Sequence, residues 1–276
     1  YSADTYSIDV DDAHDGSTWT AAHAKYNDFF REIVNRFEYD DALLIDPQGN
    51  VVYSAYKGVD LGTNILTGPY RDSELSQAFD KTLSTNTVDY VINTDFSAYL
   101  PSYNEPTAWL MSPVGEHGHV EGVLAMQFPI TKLNRLMTFD KQWERSGMGR
   151  TGETFLVGTD NLMRSDSRLF LENPEQFKRD VIRAGTPPDV AELSLRFGGT
   201  TLVQPAGNEA VRRAQRGESG TIVTEDYLGQ ETLQSYAPMR VSNLHWVMIA
   251  KIDTAEAFAP VAGFTKKLVL STTGII

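Results

Sequence analysis

The sequence predicts an α+β protein made of two similar modules, each with an antiparallel sheet, that follow one long amino-terminal helix. Three observations support this prediction. An amphipathic helical pattern near the amino terminus is followed by strand-turn-strand patterns, and the same order of elements then occurs a second time. The chain also has 276 residues, more than a typical domain, so two hydrophobic cores are expected.

The first 39 residues combine a polar, acidic lead with one long helical pattern. From Thr20 onward, apolar residues recur three or four positions apart, which places them on one face of a helix of about five turns that ends near Tyr39. These residues are Tyr26, Phe29, Phe30, Ile33, Val34 and Phe37. We predict that this helix runs alongside both modules, that the aromatic stripe of Tyr26, Phe30 and Phe37 is buried, and that the helix mediates a homodimer.

Residues 40–140 are predicted to form the first module. A buried strand, a turn containing Pro, Gly and Asn, and a second strand span residues 42–54, and this turn chemistry is typical of a hairpin. Residues 73–83 follow as a short amphipathic helix. Residues 108–114 and 122–128 then form a closing hairpin around a turn at 115–119.

Residues 141–267 are predicted to repeat this order as a second module, with the boundary between positions 135 and 150. A helix over 130–143 leads into a strand, a turn and a strand at 153–164, and the closing strands lie at 233–239 and 246–252. When 110–114 is superposed on 235–239, the next strand begins about ten residues later in both copies. The alternative explanation is a chance similarity between two generic hairpins.

The long segments between the hairpins, 57–106 and 165–232, contain most of the Gly, Pro, Asn and Asp residues. Structureless insertions of this length are rare in compact domains. We therefore expect each segment to cap the open face of its sheet and to leave a cavity for a small ligand between cap and sheet.

Composition excludes several classes of function. The formal net charge of −13 repels phosphate backbones, so nucleic acid is excluded as a partner. Because the chain has no cysteine, it has no disulfides and no thiolate metal ligands, which is compatible with a periplasmic location. No cofactor is predicted.

The carboxyl-terminal residues 268–276 are largely apolar and follow the basic pair Lys266 and Lys267. This pattern predicts the first turns of a membrane-entering segment, and an ordinary amphipathic helix end is the alternative. The sequence given contains no run of 18 apolar residues.

Five sequence runs resemble a known family. They are YDDALLIDPQGNVVY at 39–53, GVDLGTNILTGPY at 58–70, GRTGETFLVG at 149–158, LMRSDSR at 162–168 and WVMIAKID at 246–253. With these runs the chain resembles the double Cache sensor domains of bacterial transmembrane receptors, in which two PAS-like modules follow one long N-terminal helix. The details are most similar to the domains of adenylate/guanylate cyclase-type receptors.

The resemblance implies a receptor domain on the extracytoplasmic, periplasmic side of the bacterial inner membrane. Membrane spans are implied before Tyr1 and after Ile276, with a cytoplasmic chemotaxis, kinase, cyclase or phosphatase output. It also implies that a small-molecule ligand binds in the membrane-distal module, here the first one. The chain departs from amino-acid-binding members at Arg71, because their Arg is followed by a Trp-aromatic pair and here Asp72 and Ser73 follow.

The predicted ligand site lies where the first cap meets the closing hairpin, because this segment supplies aromatic walls and a few polar groups. Arg71 is predicted to pair with a carboxylate or phosphate and Asp95 with an ammonium. The alternatives are that the aromatic residues belong to the core and that Arg71 forms a surface pair with Asp95 or Asp72. The predicted site residues are Tyr70, Arg71, Asp95, Tyr99, Ser102, Tyr103 and Trp109.

Three other patterns are interpreted as structural. Residues 147–152 match G-x-G-x-x-G, but a helix precedes them and a strand follows, the reverse of a dinucleotide site. Residues 54–57 match S-x-x-K, but in a strand Ser54 and Lys57 point to opposite faces. His117 and His119 lie in a hairpin turn that is predicted to be solvated and not to bind metal.

The chain is therefore predicted to be a sensor domain and not an enzyme. Arg164, Asp166 and Arg168 are predicted to form a structural ion-pair network in the second module. Two other functions remain as alternatives at this point: a free periplasmic solute-binding protein, and a secreted hydrolase with acidic and basic groups of perturbed pKa in a cleft.

Overall fold

A computed structural model describes residues 10–85, 87–116, 119–241 and 243–260 of the chain. The chain divides into two compact units. The first unit comprises Tyr1–Lys132 with Ser242–Leu244, and the second comprises Leu133–Val241 with His245–Ile276. The predicted membrane-entering segment at 268–276 lies outside the described residues.

The first unit begins with a long helix and continues as an antiparallel sheet. Its elements are α1 (Thr18–Phe37), β1 (Asp41–Ile45), β2 (Val51–Ser54), α2 (Glu74–Leu83), β3 (Ile92–Asn93), β4 (Ser97–Tyr99), β5 (Glu105–Glu116) and β6 (His119–Pro129). The strand order in the described part is β2-β1-β6-β5-β3, and β4 also pairs with β5. The hairpins predicted at 42–54 and 108–128 are therefore confirmed, as is the helix predicted at 73–83.

The two faces of this sheet pack against different helices because successive strand residues point to opposite sides. Leu43 and Ile45 of β1 face a core that includes Leu75 and Phe79 of α2. Ala42 and Leu44 face the other way, toward Val34 of α1. The segment after β2 thus covers one face of the sheet, and α1 covers the other.

The buried face of α1 differs from the predicted aromatic stripe. Tyr26 and Phe37 are 51 % and 53 % exposed in this chain, and Phe30 is half-buried beside Tyr53 with ring centroids 4.9 Å apart. Three of the four buried positions of α1 are polar, and at one of them Asn27 Oδ1 accepts a hydrogen bond from the Tyr53 hydroxyl at 2.8 Å. We predicted that the aromatic stripe is buried, but within this chain it is not.

The second unit repeats the sheet with a more helical cap. The chain passes into it within α3 (Ile130–Met137), and the remaining elements are β7 (Glu153–Val157), α4 (Arg168–Glu172), α5 (Pro174–Arg183), α6 (Pro188–Phe197), α7 (Glu209–Gln215), β8 (Gly220–Glu225), β9 (Glu231–Pro238), β10 (Val247–Asp253) and α8 (Thr254–Ala257). The strand order in the described part is β7-β10-β9-β8. Phe155, Phe177 and Ile249 lie at the centre of its core.

Two elements predicted in this region were wrong in extent. The helix predicted over 130–143 ends at Met137, because Phe139, Asp140 and Lys141 adopt left-handed φ angles of 51°, 56° and 62°. The second strand predicted within 153–164 is reduced to an isolated bridge between Val157 and Met163. The chain turns away at once into α4, whose first turn is capped by the Ser167 side chain.

Three neighbouring strands of the first sheet correspond to three of the second. In the first unit β1 pairs with β6 and β6 with β5, and in the second β7 pairs with β10 and β10 with β9, all antiparallel. Each unit is thus an antiparallel sheet with a cap on one face. The predicted α+β fold of PAS-like modules is confirmed.

Candidate functional site

A cavity of about 330 Å³ opens at one end of the first sheet, where β1 and β5 begin and β6 ends. It lies on the face of the sheet that the cap covers, since Asp41 and Gln127 are two residues from the cap-facing positions Leu43 and Ala125. The residues that line it are Asp40, Asp41, Tyr56, Gly58, Asp60, Tyr99, Pro101, Ser102, Tyr103, Glu105 and Gln127.

Asp41 is a deeply buried carboxyl group of the cavity. As the first residue of β1 it is 5 % exposed, and its Oδ1 accepts hydrogen bonds from the backbone N–H of Ala42 at 2.7 Å and of Tyr56 at 2.8 Å. Its Oδ2 accepts the hydroxyl of Ser54 at 2.7 Å. Burial raises the pKa of Asp41 to about 6, although these hydrogen bonds favour the ionised form.

Asp60 supplies a second buried carboxyl group from the loop after β2. The hydroxyl of Tyr99 donates to Asp60 Oδ2 at 2.8 Å, and the Tyr99 ring packs edge-to-face on Trp109 with centroids 5.2 Å apart. Burial raises the pKa of Asp60, and the hydrogen bond from Tyr99 opposes that rise only in part. Tyr99 therefore joins the wall of the cavity to the core beneath it.

Asp40 and Glu105 add two carboxyl groups nearer the opening. Burial raises the pKa of Asp40, and the negative charge of Glu105 raises it further. On the floor of the cavity, Gln127 lies opposite Asp41 in the β1–β6 register, and its Nε2 donates to Ser102 Oγ at 2.9 Å.

The cavity is strongly acidic. Four carboxyl groups line it, and none of its described lining residues is Lys, Arg or His. Clustered carboxylates in a partly buried site raise one another's pKa and favour a bound cation. The site is therefore suited to a positively charged ligand with a polar, aromatic wall on one side.

Three of the seven sequence-predicted site residues line this cavity. They are Tyr99, Ser102 and Tyr103, the last at the exposed rim. Trp109 lies behind Tyr99 in the core and is 1 % exposed, and the Tyr70 ring centroid is 6.2 Å from that of Tyr99.

Arg71 and Asp95 lie elsewhere. The side chain of Arg71 is 57 % exposed, with Nε 3.8 Å from Asp72 Oδ2. The carboxyl group of Asp95 accepts the backbone N–H of Phe96 at 2.7 Å. The surface pair between Arg71 and Asp72, an alternative in the sequence, is thus present.

Sequence reasoning missed the carboxyl groups and the amide that dominate the cavity: Asp40, Asp41, Asp60, Glu105 and Gln127. A usable signal was present at two of them. Asp41 and Gln127 occupy inward-facing positions in otherwise apolar strands, where a polar residue is unusual and points to a site. Asp60 and Glu105 lie in the polar segment 57–106, where nothing distinguished them from other acidic residues.

The second unit contains its own cavity, of about 230 Å³, at the end of its sheet where β7 begins and β10 ends. Glu153 and Lys251 line it, and Lys251 Nζ lies 3.3 Å from Glu153 Oε2 and forms a closer ion pair with Asp226. Burial alone would lower the pKa of Lys251, but the carboxylates of Glu153 and Asp226 outweigh burial and raise it. The lysine is thus charged and paired within the protein.

The ion-pair network predicted for residues 164–168 takes a different form. Arg164 pairs with Asp160 and Arg168 with Glu172, each at 2.9 Å. Asp166 instead accepts the backbone N–H groups of Thr200 and Thr201. The three residues have separate partners and hold three different segments.

His119 of the turn predicted at 115–119 is the first residue of β6. His117 lies outside the described residues. Among the residues that the structure does describe, no group of three His, Cys, Asp or Glu side chains is arranged to hold a metal ion. In the same residues, no helix is long and apolar enough to cross a bilayer.

The chain matches a known family over most of its length. The family model of the Cache domain (dCache_1) matches residues 8–261. The chain belongs to the Cache domain family. The resemblance to double Cache domains stated from the sequence is thereby confirmed.

Solved structures with this fold are distant in sequence. The ligand-binding domain of the Pseudomonas aeruginosa PAO1 amino acid chemoreceptor PctB, in complex with L-Gln, has a TM-score of 0.52 and 14 % identity over 94 % of this chain and 84 % of that one. The extracellular domain of the putative histidine kinase rpHK1S-Z16 has a TM-score of 0.50 and 16 % identity over 84 % and 78 %. The Campylobacter jejuni chemoreceptor Tlp3 domain, in complex with 4-methylisoleucine, has a TM-score of 0.50 and 12 % identity over 83 % and 71 %. No curated protein sequence gives a significant match.

Proposed function

We propose that this Cache domain is the extracytoplasmic ligand-sensing domain of a membrane-anchored receptor, and that its first unit binds a small organic cation with a primary ammonium group. The observation that carries this proposal is the acidic cavity beside β1 and β6. Its volume of about 330 Å³ falls within the range of small-ligand pockets, and carboxyl groups supply its charge.

The lining suggests how an ammonium group is bound. Asp41 and Asp60 accept its hydrogen bonds at the inner end, while the rings of Tyr56 and Tyr99 offer apolar surface to the carbon chain. A charge-assisted hydrogen bond in a partly buried site is stronger than one between neutral groups. Ligand binding thus compensates the cost of keeping ionised carboxylates away from water.

An amino acid is the second candidate, favoured by the relatives whose structures contain L-Gln and 4-methylisoleucine. The acidic cavity suits the ammonium group of an amino acid but not its carboxylate, which needs a cationic partner. Arg71 was the residue predicted for that role, and it lies on the surface outside the cavity lining. An amine that lacks a carboxylate therefore fits the cavity better.

The hydrolase alternative receives one supporting fact, since carboxyl groups of raised pKa do lie together in a cleft. However, both oxygens of Asp41 already accept hydrogen bonds from the protein, and Asp60 Oδ2 accepts one from Tyr99. Groups held in this way are suited to fix a ligand and not to transfer a proton. Membership of the Cache family favours a receptor over a free solute-binding protein.

Signal transmission follows from the packing within the first unit. In our proposal this unit is the membrane-distal module, with α1 on the sheet face opposite the cap. A ligand that draws cap and sheet together changes the packing of α1, and couplings of about 1–3 kcal/mol are usual for such changes. The exposed aromatic residues Tyr26, Phe29 and Phe37 support a homodimer through α1.

The test is calorimetric titration with 1,4-diaminobutane and ethanolamine, and with 1,4-butanediol as a neutral control. We expect the amines to bind and the diol not to bind. Asp41→Asn should weaken amine binding more than about tenfold, because it removes a charged partner from a buried site. Asp72→Asn is the matched control at an exposed carboxylate and should leave the affinity unchanged.

The variant Arg71→Ala separates the two candidate ligand classes. If an amino acid binds through Arg71, as the sequence predicted, this variant should lose more than about tenfold in affinity for it. If the ligand is an amine held by the cavity carboxylates, the affinity should not change. Absence of amine binding in the wild type, or equal binding of amine and diol, would contradict the proposed ligand class.

A further inference from the structure

The two cavities occupy the same position in two corresponding sheets. In the first unit, Asp41 of β1 pairs in register with Gln127 of β6. In the second unit, Glu153 of β7 pairs in register with Lys251 of β10. Asp41 and Glu153 are the first residues of β1 and β7. Both pairs lie on the face of the sheet that the cap covers. The charge at the second position of the pair is what differs.

The surroundings of the Lys251 ammonium group are those expected for a bound ammonium ligand. The residue is 5 % exposed, and its Nζ contacts the carboxylates of Glu153 and Asp226. The same nitrogen lies 4.7 Å from the centroid of the Tyr227 ring, within range of a cation–π interaction. Two carboxylates and an aromatic face are a typical arrangement for the recognition of an organic cation.

The anionic side of this arrangement is itself fixed by the protein. The Tyr227 hydroxyl donates to Glu153 Oε2 at 2.7 Å, and Glu153 Oε1 accepts the backbone N–H of Arg168 at 2.7 Å. Asp226 Oδ1 accepts the backbone N–H groups of Leu228 and Gln230. The carboxylates are thus oriented independently of Lys251, as in a binding site prepared for a cation.

The first unit has a carboxylate and a tyrosine at its cavity but an uncharged residue at the lysine position. Gln127 is buried at 7 % exposure, and its amide is bonded to Ser102. Asp41, Asp60 and Tyr99 line the cavity beside it. The first unit therefore carries no positive charge of its own at the position of Lys251.

We propose that Lys251 is a tethered ligand: its ammonium group occupies in the second unit the position that the ammonium group of a free ligand occupies in the first. The claim that Lys251 acts as a ligand concerns the second unit alone. The claim that a free ammonium group occupies the same position in the first unit rests on the proposed function. A tethered group has a high effective concentration at its site, so it excludes a competing free cation and leaves the second unit permanently in its occupied state.

The test removes the tether and restores the ammonium group from solution. Lys251→Ala leaves a gap that adjoins the cavity of about 230 Å³, and n-propylammonium supplies the missing methylene groups and charge. We expect this variant to unfold at a lower temperature than the wild type. Added n-propylammonium should stabilise it in a saturable manner, while isosteric n-propanol should not.

Two controls separate this effect from general salt or surface effects. Lys178→Ala removes an ammonium group that pairs with Glu192 on the surface, and n-propylammonium should not stabilise this variant beyond the wild type. Tetramethylammonium has the charge but no N–H donors, so it should stabilise Lys251→Ala less than n-propylammonium. Equal stabilisation of the wild type and Lys251→Ala by n-propylammonium would overturn the proposal.

Lys251→Gln provides a second route if the alanine variant does not fold, because glutamine is the residue found at the corresponding position of the first unit. Saturable stabilisation of this variant by n-propylammonium supports the proposal, and its absence in a folded variant overturns it.

The reciprocal variant Gln127→Lys transfers the tether to the first unit. We expect it to lose amine binding by more than about tenfold and to unfold at a higher temperature. Unchanged amine affinity in this variant would overturn the correspondence between the units. If the wild type binds no amine, the proposed function fails, but the Lys251 experiments still decide whether Lys251 acts as a tethered ligand.

Discussion

The affinity of the first cavity for a cation should depend on pH through Asp41. Burial raises the pKa of Asp41 from 3.8 to about 6, so in the ligand-free protein this carboxyl group is protonated below about pH 6. A bound ammonium group favours the ionised carboxylate and lowers this pKa. Ligand binding therefore releases a proton wherever Asp41 is protonated in the free protein.

The size of the effect follows from the two pKa values. If the complex returns the pKa of Asp41 to about 4, the dissociation constant should be about tenfold larger at pH 5 than at pH 8. Near pH 6 the same values predict the release of about half a proton per ligand bound. Above about pH 7 the affinity should become constant with pH, because Asp41 is then ionised in both states.

Titration calorimetry at four values between pH 5 and pH 8, in buffers of different ionisation enthalpy, measures the affinity and the proton release together. Asp41→Asn should reduce both the pH dependence and the proton release, of which Asp60 retains a part, and Asp72→Asn should leave them unchanged. The reasoning is refuted if the wild-type dissociation constant is constant over this range, or if Asp41→Asn keeps the full dependence.

Three further predictions concern the fold. Phe79→Ala and Phe177→Ala each remove a fully buried ring and should lower the free energy of unfolding in urea by about 3–5 kcal/mol; a loss below about 1 kcal/mol would contradict the assigned cores. Ser73→Ala removes the side-chain acceptor for the Ser76 backbone N–H at the start of α2 and should cost about 1 kcal/mol in the same measurement, and no loss would contradict the cap. Phe29→Ser should weaken the proposed homodimer in sedimentation equilibrium without changing stability, and an unchanged dimer would exclude this face of α1.

The strands and hairpins were predictable because their signals are local. The turn at 46–50 and the alternation of β1 lie within one short stretch, and α2 begins at the capping residue Ser73. The helices α4 to α7 and the strand β8 were not predicted, because the turn residues of segment 165–232 indicated only a cap without separate elements. The buried face of α1 was misassigned because polar residues such as Asn27 find buried partners that no periodicity of apolar residues reveals.

The site was only partly predictable because it forms across distant parts of the chain. Asp41 and Gln127 are 86 positions apart and become neighbours only through the strand order, since β6 pairs back onto β1. Lys251 of β10 and Asp226 of the β8–β9 turn are likewise distant in sequence and form an ion pair only in the folded sheet. The sequence marks each of these residues as a polar exception in a strand or turn, but the sheet topology decides which exceptions lie together.

In our proposal, the different charges at the two corresponding positions explain why the first unit responds to ligand and the second does not. In the free first unit at neutral pH, the ionised form of Asp41 is disfavoured by about two pKa units, or about 3 kcal/mol. In the second unit, Lys251 is a permanent counter-ion for Glu153. The ionised form of Glu153 therefore has a charged partner even when no ligand is present. Relief of the Asp41 cost on ligand binding is comparable with the roughly 1–3 kcal/mol of a typical allosteric coupling. In our proposal, the free energy that shifts the receptor between states therefore comes from the first unit, where the ligand supplies the counter-ion.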